Sequence, residues 1–234
     1  MKTLTPPFLN TMSHPQKVWG LIFLPLHIFL LPLFIAMLDF YMPGLLTDIS
    51  ANIVYYGFSF GFCLICMWSY LRRGFDLLLD NFRLNTVSIF SSYIVYMLFA
   101  LLVSVFLLWI LGDNLSNPNN AAVELTAGES YGVMLGLTVF IAPIVEEILF
   151  RGVLFGSLRK KSRAAAYIIS IVLFGFSHLW QYALVEMDVK LLIYIIQYIP
   201  AGYVLARLYE KTSCIWLPIF FHMGINLAAM LTIS

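Results

Sequence analysis

Glu146 and Glu147 are adjacent, and Arg151 follows Glu147 by four residues. All three lie in LGLTVFIAPIVEEILFRGVLFG, part of a 131–158 stretch that otherwise reads as a membrane-spanning helix. An ionised carboxylate in hydrocarbon is costly, so two side by side require a partner or a task. The apolar runs elsewhere carry three more polar groups: His178, and a His222/Asn226 pair four residues apart. Glu147 and Arg151 share a helix face and form an ion pair with the acid on the favourable N-terminal side. Glu146 is rotated about 100° from Glu147 and is free to act. His222 and Asn226 also share a face, and both donate hydrogen bonds without an obligatory charge. Two such donors suit an oxyanion. His178 then holds a water beside Glu146. The set describes hydrolysis: Glu146 takes a proton from water, the hydroxide attacks a peptide carbonyl, and His222 with Asn226 stabilises the intermediate.

These groups must meet at one depth. Counting about 1.5 Å per residue from the cytoplasmic helix ends places Glu146 about 18 Å in, His178 about 21 Å, His222 about 12 Å and Asn226 about 18 Å. Three different helices thus bring polar side chains to one layer.

The helices follow from composition. Of 234 residues, 62% are hydrophobic and 11% charged. Soluble domains carry about 25% charged residues, so a soluble domain is excluded. Apolar runs predict an all-α, polytopic transmembrane helical bundle of about seven spans: roughly 18–38, 52–71, 87–111, 131–158, 164–184, 189–209 and 214–232. The chain reads as one integral membrane domain over 1–234, with the catalytic helices at roughly 131–232. The first span is too long for a signal-peptide core and lacks a suitable cleavage site, so it is expected in the mature chain.

Charge gives the orientation. With the N-terminus cytoplasmic, inside loops hold Lys2, Lys17, Arg72, Arg73, Arg83, Arg159, Lys160, Lys161, Arg163, Arg207 and Lys211, eleven of the 13 basic residues. Only Lys190 lies outside, where Asp39, Asp48, Asp113, Glu124, Glu129, Glu186 and Asp188 also fall. Lysine and arginine bias orients membrane proteins, so the C-terminus is expected outside and the chain multi-pass in the cell membrane. RKKSR at 159–163 reads as a topological anchor touching anionic lipid. Residues 74–85 read as an amphipathic piece on the cytoplasmic surface, and 112–130 as the longest outside loop. With a net charge of +1 and no basic stripe, nucleic acid is excluded as a partner. Membrane lipids and a peptide or lipidated-protein substrate are the expected partners. Cys63-x-x-Cys66 lacks a second pair and Cys214 stands alone, so the cysteines read as packing. His14, His27 and Phe174 read as packing or hydrogen-bonding residues. Gly57-x-x-x-Gly61 and Gly132-x-x-x-Gly136 allow close helix approach.

In order along the late helices, Glu146-Glu147-x-x-x-Arg151, Phe174-x-x-x-His178 and His222-x-x-x-Asn226 resemble the CAAX protease and bacteriocin-processing (Abi) family of intramembrane proteases. That family includes the CAAX prenyl endopeptidases. The resemblance covers roughly 130–230 and matches all six positions. It implies an endopeptidase in which Glu146 and His178 activate water, His222 and Asn226 bind the oxyanion, and Glu147 and Arg151 support them. The substrate is expected among prenylated C-termini, bacteriocins and pheromone peptides. A metal-free site is expected. The alternative is zinc held by Glu146, His178 and His222, although the two-histidine i, i+4 zinc pattern is absent. Two other classes stand beside the protease: a non-enzymatic immunity or partner-binding membrane protein, and a proton-coupled transporter. The transporter is disfavoured by the lack of a repeat.

Overall fold

The computed structural model describes residues 8–112 and 116–233, and every regular element among them is helical. Lys2 and Asp113, used above for orientation, lie outside the described residues. Local sequence explains where the helices begin. In α1 (His14–Tyr41), Ser13 accepts from the Gln16 amide while the Gln16 side chain returns the bond, and Pro15 occupies the first turn. Thr47 and Ser50 form the same reciprocal cap on α2 (Asp48–Asp80). After Asn81, α3 (Phe82–Leu111) runs until Gly112, whose φ of 62° stops it.

Residues 74–85 therefore form no separate surface element. Asn85 donates to the carbonyls of Leu77 and Leu78, closing the C-terminal turn of α2 as α3 begins. The expected 112–130 loop contains α4 (Pro118–Glu129), capped by Asn117.

The central element is α5 (Tyr131–Leu158), packed by α1, α2, α6 (Arg163–Ser177), α8 (Val189–Thr212) and α9 (Trp216–Met230). Val145 through Phe155 of α5 are all buried, Glu146, Glu147 and Arg151 included. By contrast α3 presents Phe90, Ile94, Leu102 and Trp109 outward, as a lipid-facing helix should. Close approach is built in at glycines such as Gly20 and Gly224: a Cβ on Gly20 would overlap Val153, and one on Gly224 would overlap the Tyr93 hydroxyl.

Among the described residues five helices are long and apolar enough to cross a bilayer: α1, α2, α3, α5 and α8. The expected fifth and seventh spans are the shorter α6 and α9, of 15 residues each. The 164–184 span is not continuous. It breaks after Ser177 and resumes as the short α7 (Trp180–Val185). The break is local chemistry: the His178 ring nitrogen Nδ1 lies 2.8 Å from the Phe174 carbonyl, satisfying an acceptor that the ended helix leaves open.

Candidate active site

Two stretches of α5 are wound as π-helix, Gly136–Ile141 and Glu147–Phe155. Such windings recur at functional sites because they redirect side chains within a helix. Here they flank Glu146, which is 5% exposed.

The structure brings Glu146, His178 and His222 together from α5, the α6–α7 break and α9. Glu146 Oε2 lies 3.9 Å from His178 Nε2 and 3.9 Å from His222 Nε2. Those separations are too long for direct hydrogen bonds. They are short enough for one water to bridge the carboxylate and a ring nitrogen with two bonds of about 2.8 Å. Oε2 has no hydrogen-bond partner among the described residues. The other oxygen, Oε1, accepts from the Tyr56 hydroxyl at 3.2 Å. Tyr56 comes from α2, outside the motifs, and nothing in its spacing announced it.

Each histidine is oriented by the bond at Nδ1. A carbonyl only accepts, so His178 Nδ1 carries the proton toward Phe174, and neutral His178 turns an Nε2 lone pair toward Glu146. The Tyr198 ring lies over His178, with centroids 4.6 Å apart. His222 Nδ1 lies 2.9 Å from Glu147 Oε1.

Glu147 and Arg151 pair as expected, at 2.9 Å with both buried. The same oxygen, Oε1, takes both Arg151 and His222. The pair is therefore joined to the histidine rather than set apart from the chemistry. The Arg151 guanidinium also sits 4.3 Å from the Phe174 ring centroid. That ring meets His178 and His222 edge-on, at 4.9 and 5.8 Å. Phe174 thus serves the site with its ring and its carbonyl.

Asn226 is placed differently from its sequence neighbours. Its side-chain NH2 donates to the Thr138 carbonyl of α5 at 2.8 Å. One N–H remains for another acceptor. That bond ties α9 to the π-wound segment about two turns before Glu146.

His27 is a hydrogen-bonding residue, buried between Ser59 Oγ at 2.9 Å and the Tyr55 hydroxyl at 3.1 Å. His14 is exposed on the first turn of α1 rather than packed. Cys63 and Cys214 are buried and Cys66 is half-buried, all with free thiols.

For metal, two donors on one tetrahedral zinc at about 2.1 Å stand roughly 3.4 Å apart. The 3.9 Å separations are wider. No group of three or more His, Cys, Asp or Glu among the described residues is drawn in closely enough to hold an ion.

A cavity of about 350 Å³ opens over Glu146 and His178. Half-buried Tyr55, Tyr56 and Ser177 line it, and the exposed Asp39, Asp48 and Gln181 mark its rim.

Glu146, His178 and His222 lie within the stretch of the chain that matches known proteins. Residues 128–228 match a family model described as type II CAAX prenyl endopeptidase Rce1-like. A Bacillus subtilis (strain 168) protein named "Putative membrane peptidase YdiL" is 32% identical over 119 residues, covering 50% of this chain and 44% of the relative. The chain thus spans less than half the length of that relative. No solved structure matches the chain.

Proposed function

From the premise that residues 128–228 carry the Rce1-like pattern of type II CAAX prenyl endopeptidases, we propose that this chain is an intramembrane endopeptidase of the cell membrane. One observation carries the reading. A buried carboxylate oxygen, Glu146 Oε2, is unpartnered and faces two imidazole nitrogens in a cavity.

The water lies between Glu146 and His178. One of its hydrogens points to Glu146 Oε2 and the other to the His178 lone pair, leaving an oxygen lone pair for the substrate carbonyl carbon. Glu146 takes the proton as the C–O bond forms. The developing oxyanion accepts from the second N–H of Asn226 and from His222 Nε2. His222 donates there as an imidazolium, whose Nδ1–H is held by Glu147. With Glu146 protonated, the charges of Glu147, Arg151, the His222 imidazolium and the oxyanion sum to zero, which suits a buried site. Collapse of the intermediate expels the amine, and Glu146 returns the proton to it. Atoms balance as peptide plus water giving carboxylic acid and amine. Glu147 is a positioning residue here, in the manner of the buried acid that orients a catalytic histidine. The substrate is a membrane-associated peptide: a lipidated C-terminus, a bacteriocin or a pheromone precursor.

Comparative peptidomics of cells carrying wild type or Glu146→Gln tests the reading. Glutamine keeps the shape and cannot accept the proton. The expected result is a set of peptides present only with wild type, with equal amounts of folded protein in both. Identical peptidomes, or full activity of purified Glu146→Gln, would sink it.

A further inference from the structure

Most of the lysines and arginines among the described residues gather at one end of this molecule. At that end Arg73 bonds Gln16 at 3.1 Å and Lys17 lies beside Lys160, joining the start of α1, the end of α2 and the end of α5. Glu210 there holds Arg159 and Arg163. Asp39 near the end of α1 and Asp48 at the start of α2 lie at the opposite end. The cavity over Glu146 opens at that opposite end. Asp39 and Asp48 are on its rim, both exposed, and no lysine or arginine lines it among the described residues. At its floor is the buried, unpartnered Glu146 Oε2. Three carboxylates thus bound one polar cavity that no lysine or arginine lines among the described residues. Such a cleft concentrates positive charge, the more so where apolar walls exclude water.

Resting on the protease reading, we propose that this cavity is the substrate vestibule, that it admits peptide from the Asp39–Asp48 end, and that these aspartates select a lysine or arginine beside the scissile bond. The substrate class is then a basic peptide presented at the face opposite the Arg159–Arg163 cluster. With lysine and arginine on the cytoplasmic side, that face is the outer one.

Two measurements test this, one independent of catalysis. Asn52 lines the cavity. In a chain with Cys63, Cys66 and Cys214 replaced by alanine, Asn52→Cys should react with a membrane-impermeant maleimide in intact cells, and Lys160→Cys only after permeabilisation. Labelling of both from one side overturns the assignment of the entrance. Ala51→Cys, the neighbouring cavity residue, serves if Asn52→Cys does not accumulate. For selectivity, two fluorescent octapeptides that differ only by lysine or glutamine at two positions are bound to detergent-solubilised Glu146→Gln protein. The lysine peptide should bind about fivefold more tightly at low salt. That preference should vanish when Asp39→Asn and Asp48→Asn are added. Equal binding of the two peptides, or a preference that survives the aspartate changes, overturns the proposal. Discrimination without cleavage by wild type would instead overturn the protease reading, and cleavage without discrimination only the vestibule.

Discussion

His222 Nδ1 and Arg151 Nη1 meet at the same atom, Glu147 Oε1, each at 2.9 Å. One carboxylate oxygen on α5 thereby fixes a histidine on α9 and neutralises an arginine one turn away on its own helix. The consequence is a division between neighbours: Glu146 faces the cavity, and Glu147 faces the protein and holds the ring that faces Glu146.

Removing either member of the Glu147–Arg151 pair leaves an unpaired buried charge, a loss of about 3–5 kcal/mol. Glu147→Ala and Arg151→Ala should lower the melting temperature of detergent-solubilised protein. The swap of Glu147→Arg with Arg151→Glu restores opposite charges but gives His222 a cation where it needs an acceptor. It also moves the guanidinium away from the Phe174 ring. The swap should therefore regain part of the stability and none of the turnover. Restored turnover would show that Glu147 and Arg151 serve only as a charge pair.

His222→Ala and Asn226→Ala should act on turnover more than on substrate affinity, because bonds to an oxyanion strengthen as charge develops. Loss of one such donor costs about 10²–10³ in turnover. Asn226→Ala also cuts the tie to the Thr138 carbonyl, so its effect should include a lower melting temperature. Separate measurement of turnover and affinity for each variant decides the role. Loss confined to affinity would assign them to substrate binding.

Most of this site was legible because buried charge is rare in membrane helices, so Glu146, His178 and His222 stood out against apolar neighbours. Depth counting brought them to one layer, and the structure brings each histidine to 3.9 Å from Glu146. The i, i+4 rule found the Glu147–Arg151 pair. It was silent on the bond from His222 to Glu147, because bonds between helices have no sequence spacing. Tyr56 was hidden for the same reason: a tyrosine in an apolar helix looks like any aromatic. The 164–184 run is apolar throughout, and hydropathy does not register a helix that ends where a histidine ring takes over a carbonyl. Hydropathy likewise separated 74–85 from the spans, whereas the backbone simply continues through Asp80 into the Asn81 turn.

Activity on an identified peptide should survive exhaustive dialysis against a strong chelator, and elemental analysis should show no stoichiometric zinc. The mechanism proposed here needs only a water between Glu146 and His178. One zinc per active chain, lost and regained together with activity, would make Glu146, His178 and His222 ligands and require the 3.9 Å separations to contract.

Tyr56→Phe removes the only hydrogen bond that Glu146 Oε1 receives in the described structure. That bond holds the carboxylate so that Oε2 is the oxygen presented to His178 and His222. It also balances the charge on a group that has lost its water on most sides. A hydrogen bond to a charged partner is worth about 1.5–3 kcal/mol, and 1.4 kcal/mol is about a tenfold change in rate. Turnover of Tyr56→Phe should fall at least about tenfold, with little change in substrate affinity, since the phenyl ring still fills its place in the cavity wall. Tyr55→Phe is the contrast. The Tyr55 hydroxyl serves His27 instead, so that change should leave turnover near wild type. The two variants differ by one adjacent position and remove the same atom, so a general loosening of α2 would affect both. Equal turnover in the two variants would show that Glu146 is aimed by packing alone.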